Sequence, residues 1–165
     1  MGNDSTNAIT SSLPIGGYFV TTFNMSYLQG ASDLSIARTM IHESIHAYLS
    51  YYFFADRPGY TGTYLDLLKE YRTNGSTQNV PDEQHYIMEK AFVEQVIAPA
   101  LQQYGNSQGY NLDFSDYKDL AWGGLNYNAN SQLSNEDRIR ITNMLVAEQT
   151  GTGVGTVACP LPGGS

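Results

Sequence analysis

The stretch from Leu34 to about Phe54 constrains this chain more than any other. Apolar residues recur through it at helical spacing (Ile36, Met40, Ile41, Ile45, Leu49, Tyr52, Phe53), which predicts one long, largely buried helix. Ser32 or Asp33 stands where a helix cap belongs, just after a Gly-Ala-Ser break. In the middle of the run lies His42-Glu43-Ser44-Ile45-His46. Residues four apart stack on one helix face, so two imidazoles can turn toward one point. Glu43 follows about 100° round the helix, beside that face. Burying two imidazoles with nothing to bind is costly. The pattern therefore points to a metal site, against the bland alternative of a chance motif in a core helix.

Imidazole suits Zn²⁺, and catalytic zinc sites take three protein ligands and keep one position open. In an HExxH helix the glutamate serves as the base for a metal-activated water. A third ligand must come from elsewhere, and the chain has only three histidines. His85 opens a second predicted helix, started by Pro81, Asp82 and Glu83 and running to about Tyr104, with Pro99 implying a kink or a break near Ile97–Ala98. The face of His85 continues through Met88/Glu89, Phe92 and Val96, and is expected to look inward. His85 is thus the expected third ligand. Glu89, one turn further on, is its main rival, and would leave His85 beside the metal or facing substrate. Asp66 and Glu70, on a short predicted helix over Tyr64–Thr73, are weaker rivals that a solvated face explains better. The plain alternative for His85 is a surface residue in an acidic first turn.

The remaining chain fits one α+β domain, mostly helical with a small N-terminal sheet. A strand is expected over Tyr18–Phe23, extending toward Met25, a short helix before Gly123-Gly124, and a last helix capped by Ser134 with Asp137 and ended by Gly151. No βαβ alternation occurs, which argues against a doubly wound sheet. Residues 1–15 are expected to be a disordered N-terminal segment, 16–151 the folded domain and 152–165 a flexible tail. The net charge of -8, without a Lys/Arg cluster, argues against nucleic acid and against anionic membranes as partners. No apolar run approaches the ~18 residues of a membrane span. Cys159, the single cysteine, stands in a Gly/Pro-rich tail and forms no internal disulfide. The polar start lacks a signal-peptide pattern, while the low-Lys, Tyr/Asn/Gln/Ser-rich composition leans toward a secreted or exported bacterial protein.

"IHESIHAYLSYYF", followed after a loop and a helix by "EQHYIMEKAF", resembles the SprT-like branch of the zincin metallopeptidases. The likeness spans roughly residues 18–125 and includes "LAWGGL". It implies a zincin-like domain over 16–151, with His42, His46 and His85 holding Zn²⁺ and Glu43 as the base, acting on a protein or peptide substrate. Two departures stand out. The interval from His46 to His85 is longer than in the DNA-repair members, and this chain lacks their basic regions. A metzincin is excluded, because Ala-Tyr-Leu-Ser-Tyr-Tyr follows His46 where a third motif histidine would stand. Oxyanion candidates are Tyr48, Tyr86 and Tyr127 among thirteen tyrosines. The Tyr18–Phe23 strand is expected to accept an extended peptide by strand addition. The resulting expectation is a zinc metalloendopeptidase. The alternatives are a zinc-stabilised binding domain without catalysis, and a toxin or effector peptidase delivered as the end of a larger protein.

Overall fold

In a computed structural model of the chain, the residues described are 6–11, 14–55, 83–125, 127–128, 130 and 132–156. They form an α+β fold, mostly helical, with one two-stranded antiparallel sheet at the N-terminus. Strand β1 (Ala8–Thr10) pairs with β2 (Thr21–Phe23), Ile9 opposite Thr22. Two departures from expectation occur here. The first is that the polar N-terminal segment is not wholly unpatterned, since it supplies β1. The second is that the strand over Tyr18–Phe23 is shorter, being regular only from Thr21. Toward Met25 the chain turns helical instead, because the Asn24 side chain accepts the amides of Ser26 and Tyr27 and so caps helix α1 (Met25–Gly30).

Helix α2 (Asp33–Ala55) follows at once. Ser32 caps it, its Oγ accepting the Ser35 amide at 3.0 Å. Leu34, Ile45 and Leu49 are buried, whereas Met40, expected on the apolar side, is exposed. Helix α3 runs without interruption through three segments: Glu83–Ile87 as α-helix, Met88–Ile97 as π-helix and Ala98–Gln108 as α-helix again. The kink or break expected near Ile97–Ala98 takes the form of a change of winding at that join. Proline lacks an N–H and its ring crowds the carbonyl four residues back, so the join between two hydrogen-bond registers is where it is tolerated. The wider winding falls on the inward face. Met88 and Val93, five residues apart, are both buried, as are Ile97 and Leu101 at the following steps of four, while Val96, expected to face inward, is exposed.

Helix α4 (Phe114–Ala121) and helix α5 (Asn135–Gln149) complete the set. Both begin with a capping box, Asp113 with Asp116 and Ser134 with Asp137. The core joins Leu34, Ile45 and Leu49 of α2 to Met88, Ile97 and Leu101 of α3, Tyr117 and Leu120 of α4, and Ile141 of α5. Each such aliphatic side chain contributes about 1.5–3 kcal/mol on burial. Trp122 packs into the same core. The segment after α5, expected to be loose, docks as far as Thr156. The buried Glu148 carboxylate accepts the Ser32 hydroxyl and the amides of Val154 (2.6 Å) and Gly155 (3.2 Å), and Asp33 donates its amide to Thr156 O at 2.8 Å. The end of the domain is thereby tied to the start of α2. The short helix expected over Tyr64–Thr73, with Asp66 and Glu70, and Cys159 lie outside the described residues.

Candidate metal centre

The helical spacing of α2 aims His42 and His46 the same way, and the first turn of α3 delivers His85 opposite them. The three Nε2 atoms form a nearly equilateral triangle: 3.0 Å from His42 to His46, 3.2 Å from His42 to His85 and 3.1 Å from His46 to His85. The rings are strongly tilted, with interplanar angles of 69°, 56° and 55°. They present three nitrogen edges to one point rather than stacking.

Three nitrogens this close cannot satisfy one another by hydrogen bonds. A neutral imidazole has one N–H and one acceptor nitrogen, so at least one edge of such a triangle sets like against like. A cation removes the conflict by taking all three lone pairs. Nitrogens bound about 2.0–2.1 Å from a tetrahedral zinc lie about 3.3–3.4 Å apart, within a few tenths of an ångström of the triangle. The donor set therefore fits zinc.

Neighbours set the orientation of the rings. The His46 Nδ1 meets the Gln84 amide oxygen. Since that oxygen only accepts, Nδ1 carries the proton and Nε2 keeps its lone pair on the side of the other two histidines. Gly124, which also lines the cleft, approaches His42 closely. It has φ +84°, and a Cβ there would lie 3.0 Å from His42 Cε1. The Gly123-Gly124 turn thus serves the site as well as the chain path, since only a residue without a side chain lets the backbone pass so close in the left-handed region.

Glu43 is 7% exposed and lines the same cleft as the histidines. That cleft has a volume of about 530 Å³. Residues 6–10, which include β1, form one wall, and Thr10 donates its hydroxyl to the Glu43 carbonyl at 3.4 Å. The strand expected to line the site, Tyr18–Phe23, does not; β1 does, with β2 behind it. Arg38, one turn before His42 on α2, also lines the cleft. Burial lowers the pKa of its guanidinium, while the nearby Tyr27 and Glu43 act to raise it.

The alternative residues go elsewhere. Asn130 donates its amide to the Glu89 carboxylate at 3.3 Å, and Glu89 borders a separate groove with Lys90 and Gln132. Among the described residues, only the three histidines converge as a possible metal site. Tyr48 is 53% exposed and packs near Phe92, and the Tyr127 hydroxyl pairs with Thr142 at 3.1 Å, so neither lines the cleft. The Tyr86 side chain lies outside the described residues.

Sequence reasoning did not single out Gln84, Gly124, the β1 residues or Arg38. Arg38 was discoverable, since it continues the His42–His46 spacing by one turn toward the helix start. Gln84 and Gly124 reach the site only through the packing of α3 and the turn after α4 against α2, and carry no local signal. Comparison of the chain with protein-family models, with curated proteins and with solved structures found no match.

Proposed function

We propose that this chain is a zinc-dependent metallopeptidase, in keeping with its resemblance to the SprT-like zincins. His42, His46 and His85 are the metal ligands and Glu43 is the general base. The observation that carries the reading is the triangle of three Nε2 atoms, 3.0–3.2 Å on a side, in one cleft with the Glu43 carboxylate. A structural zinc site closes all its positions with protein ligands. A trio of histidines opening on a cleft beside a carboxylate has the composition of a catalytic one.

Zinc, when bound, supplies the Lewis acidity that makes water a nucleophile near neutral pH and polarises a carbonyl. The chain's own residues do the rest. Glu43 takes a proton from the attacking water and returns it to the departing amine, the double role of a general base and acid. Gln84 holds His46 in the tautomer that leaves its Nε2 lone pair available. The sheet has only two strands among the described residues, so β1 has one edge without a partner strand. An extended peptide adding to that edge would lie along the cleft wall in reach of Glu43.

The test is metal content per chain together with turnover. Wild type is expected to bind one zinc, His85→Ala to lose it and Glu89→Ala to keep it. Glu43→Gln is expected to keep the metal and lose about 10²–10⁴-fold in peptide hydrolysis. Zinc lost with Glu89 and kept without His85 would overturn the ligand set. Full activity in Glu43→Gln would overturn the mechanism. A metal-bound chain that cleaves no peptide would indicate a zinc-stabilised binding domain instead.

A further inference from the structure

Arg38 is 6% exposed, yet no hydrogen bond or ion pair to its guanidinium occurs among the described residues, and its Nε is fully enclosed. Burying a cation without a partner is among the costlier arrangements a fold can hold. The fold nevertheless makes room for it. Gly123 has no side chain where a Cβ would lie 2.6 Å from Arg38 Nε and 2.7 Å from its Cζ, so the guanidinium rests against bare backbone. The charge of Glu43 acts on it, but the two form no ion pair. Apart from the three histidines, every other described residue lining the cleft is neutral: threonines, serine, amides, small apolar residues and glycine. The cleft thus holds one base at the metal and one unmatched cation a turn away.

We propose that Arg38 binds a carboxylate of the substrate, about one residue from the bond that is cut. The inference rests on the metallopeptidase reading above. Position argues for a carboxylate rather than the oxyanion of the reacting carbonyl. Arg38 precedes His42 by four residues, about 6 Å along the helix axis, and helical side chains lean further toward the N-terminus. An oxyanion donor must lie within about 3 Å of an oxygen that is itself about 2 Å from the metal. The Arg38 backbone is offset from His42 by more than one further peptide residue, about 3.8 Å each, toward the helix start. A guanidinium presents two parallel N–H groups that match a carboxylate. The carboxylate is either the end of the peptide chain, which would make cleavage favour C-terminal residues, or an acidic side chain at that place.

The experiment uses the zinc-loaded full chain and three probes: a zinc-chelating hydroxamate joined through a one-residue spacer to glycine, to glycinamide, or to the α-amide of aspartate. They offer a terminal carboxylate, none, and a side-chain carboxylate. Affinity is read by calorimetry on wild type, Arg38→Gln and Arg38→Lys, with thermal melting and zinc content as checks on folding. At least one carboxylate probe is expected to bind wild type about tenfold or more tighter than the glycinamide probe, and which one does so identifies the source. The preference should vanish in Arg38→Gln and survive weakened in Arg38→Lys, with glycinamide-probe affinity unchanged in both. Equal affinity of all three probes for wild type would overturn the proposal, even if Arg38→Gln does not fold. So would a preference that persists in Arg38→Gln. Failure of every probe on wild type would instead bring down the metal-site reading, and the proposal with it.

Discussion

Replacing Gly124 by alanine should damage the proposed metal centre in a way that a matched control separates from ordinary backbone strain. Two effects meet at this position. The φ of +84° lies in the left-handed region, where a side chain costs about 1–2 kcal/mol. The new Cβ would also lie 3.0 Å from His42 Cε1, where carbon atoms normally stay about 3.5–4.0 Å apart. The imidazole must therefore yield by about half an ångström, more than the ±0.2 Å latitude of metal–ligand distances. Gly109 supplies the control: its φ is +83°, and nothing lies within 4 Å of the corresponding Cβ. Gly109→Ala and Gly124→Ala should thus lose similar stability in the metal-free protein, about 1–2 kcal/mol each, or roughly 2–4 °C per kcal/mol in Tm. Only Gly124→Ala should also lose zinc affinity, by about 10–100-fold, as disturbance of ligand-supporting contacts does elsewhere. Urea unfolding with a chelator present gives the first quantity, and competition against a chromogenic zinc chelator the second. Wild-type zinc affinity in Gly124→Ala, or an equal loss in Gly109→Ala, would refute the claim that this close approach positions His42.

Three further outcomes can be checked with the same methods. Gln84→Leu should lower zinc affinity by about 10–100-fold with little change in metal-free stability, because it frees the His46 ring without touching the core; unchanged affinity would show that Gln84 does not set the tautomer. Arg140→Ala should destabilise the fold by about 1–3 kcal/mol, since its Nε and Nη2 reach the buried Asp119 carboxylate at 2.5 and 3.0 Å and their loss strands that group; an unchanged urea midpoint would mean that water replaces them. The pKa of Asp137 is held low by the Ser134 hydroxyl and amide and then by Arg140, so its support for α5 is present above the ordinary carboxylate range and fades as pH falls through the depressed folded value. Asp137→Asn should accordingly melt below wild type at neutral pH, and the gap should close in acid; a gap independent of pH would assign the effect to shape rather than charge.

The sequence carried the periodic parts of this protein. The α2 span, the paired faces of His42 and His46, and the Ser134–Asp137 capping box are all local, written in spacings of three and four residues and in residues that bond their own backbone. The parts misjudged were those in which distant packing overruled local pattern. In the π-wound stretch of residues 88–97, Met88 and Val93 are buried five residues apart and Val96, read as inward-facing from the sequence, is exposed. Strand β1, Ala8-Ile9-Thr10, is too short to signal a strand by itself and becomes one by pairing with β2 and packing on α2. The end of the domain docks because one buried carboxylate, Glu148, gathers donors from both ends of the fold.

The same division runs through the site. Sequence by itself determined which groups could bind a metal, because helix geometry alone brings residues four apart onto one face and the chain has only one more histidine to offer. Only the tertiary structure shows which of His85 and Glu89 stands beside the His42–His46 pair: α3 brings His85 to that edge, while Glu89 accepts a hydrogen bond from Asn130. It alone placed Gln84 behind His46, Gly124 against His42, and Arg38 unpaired in the cleft. Those placements depend on contacts between residues tens of positions apart, and such contacts leave no periodic trace in the chain.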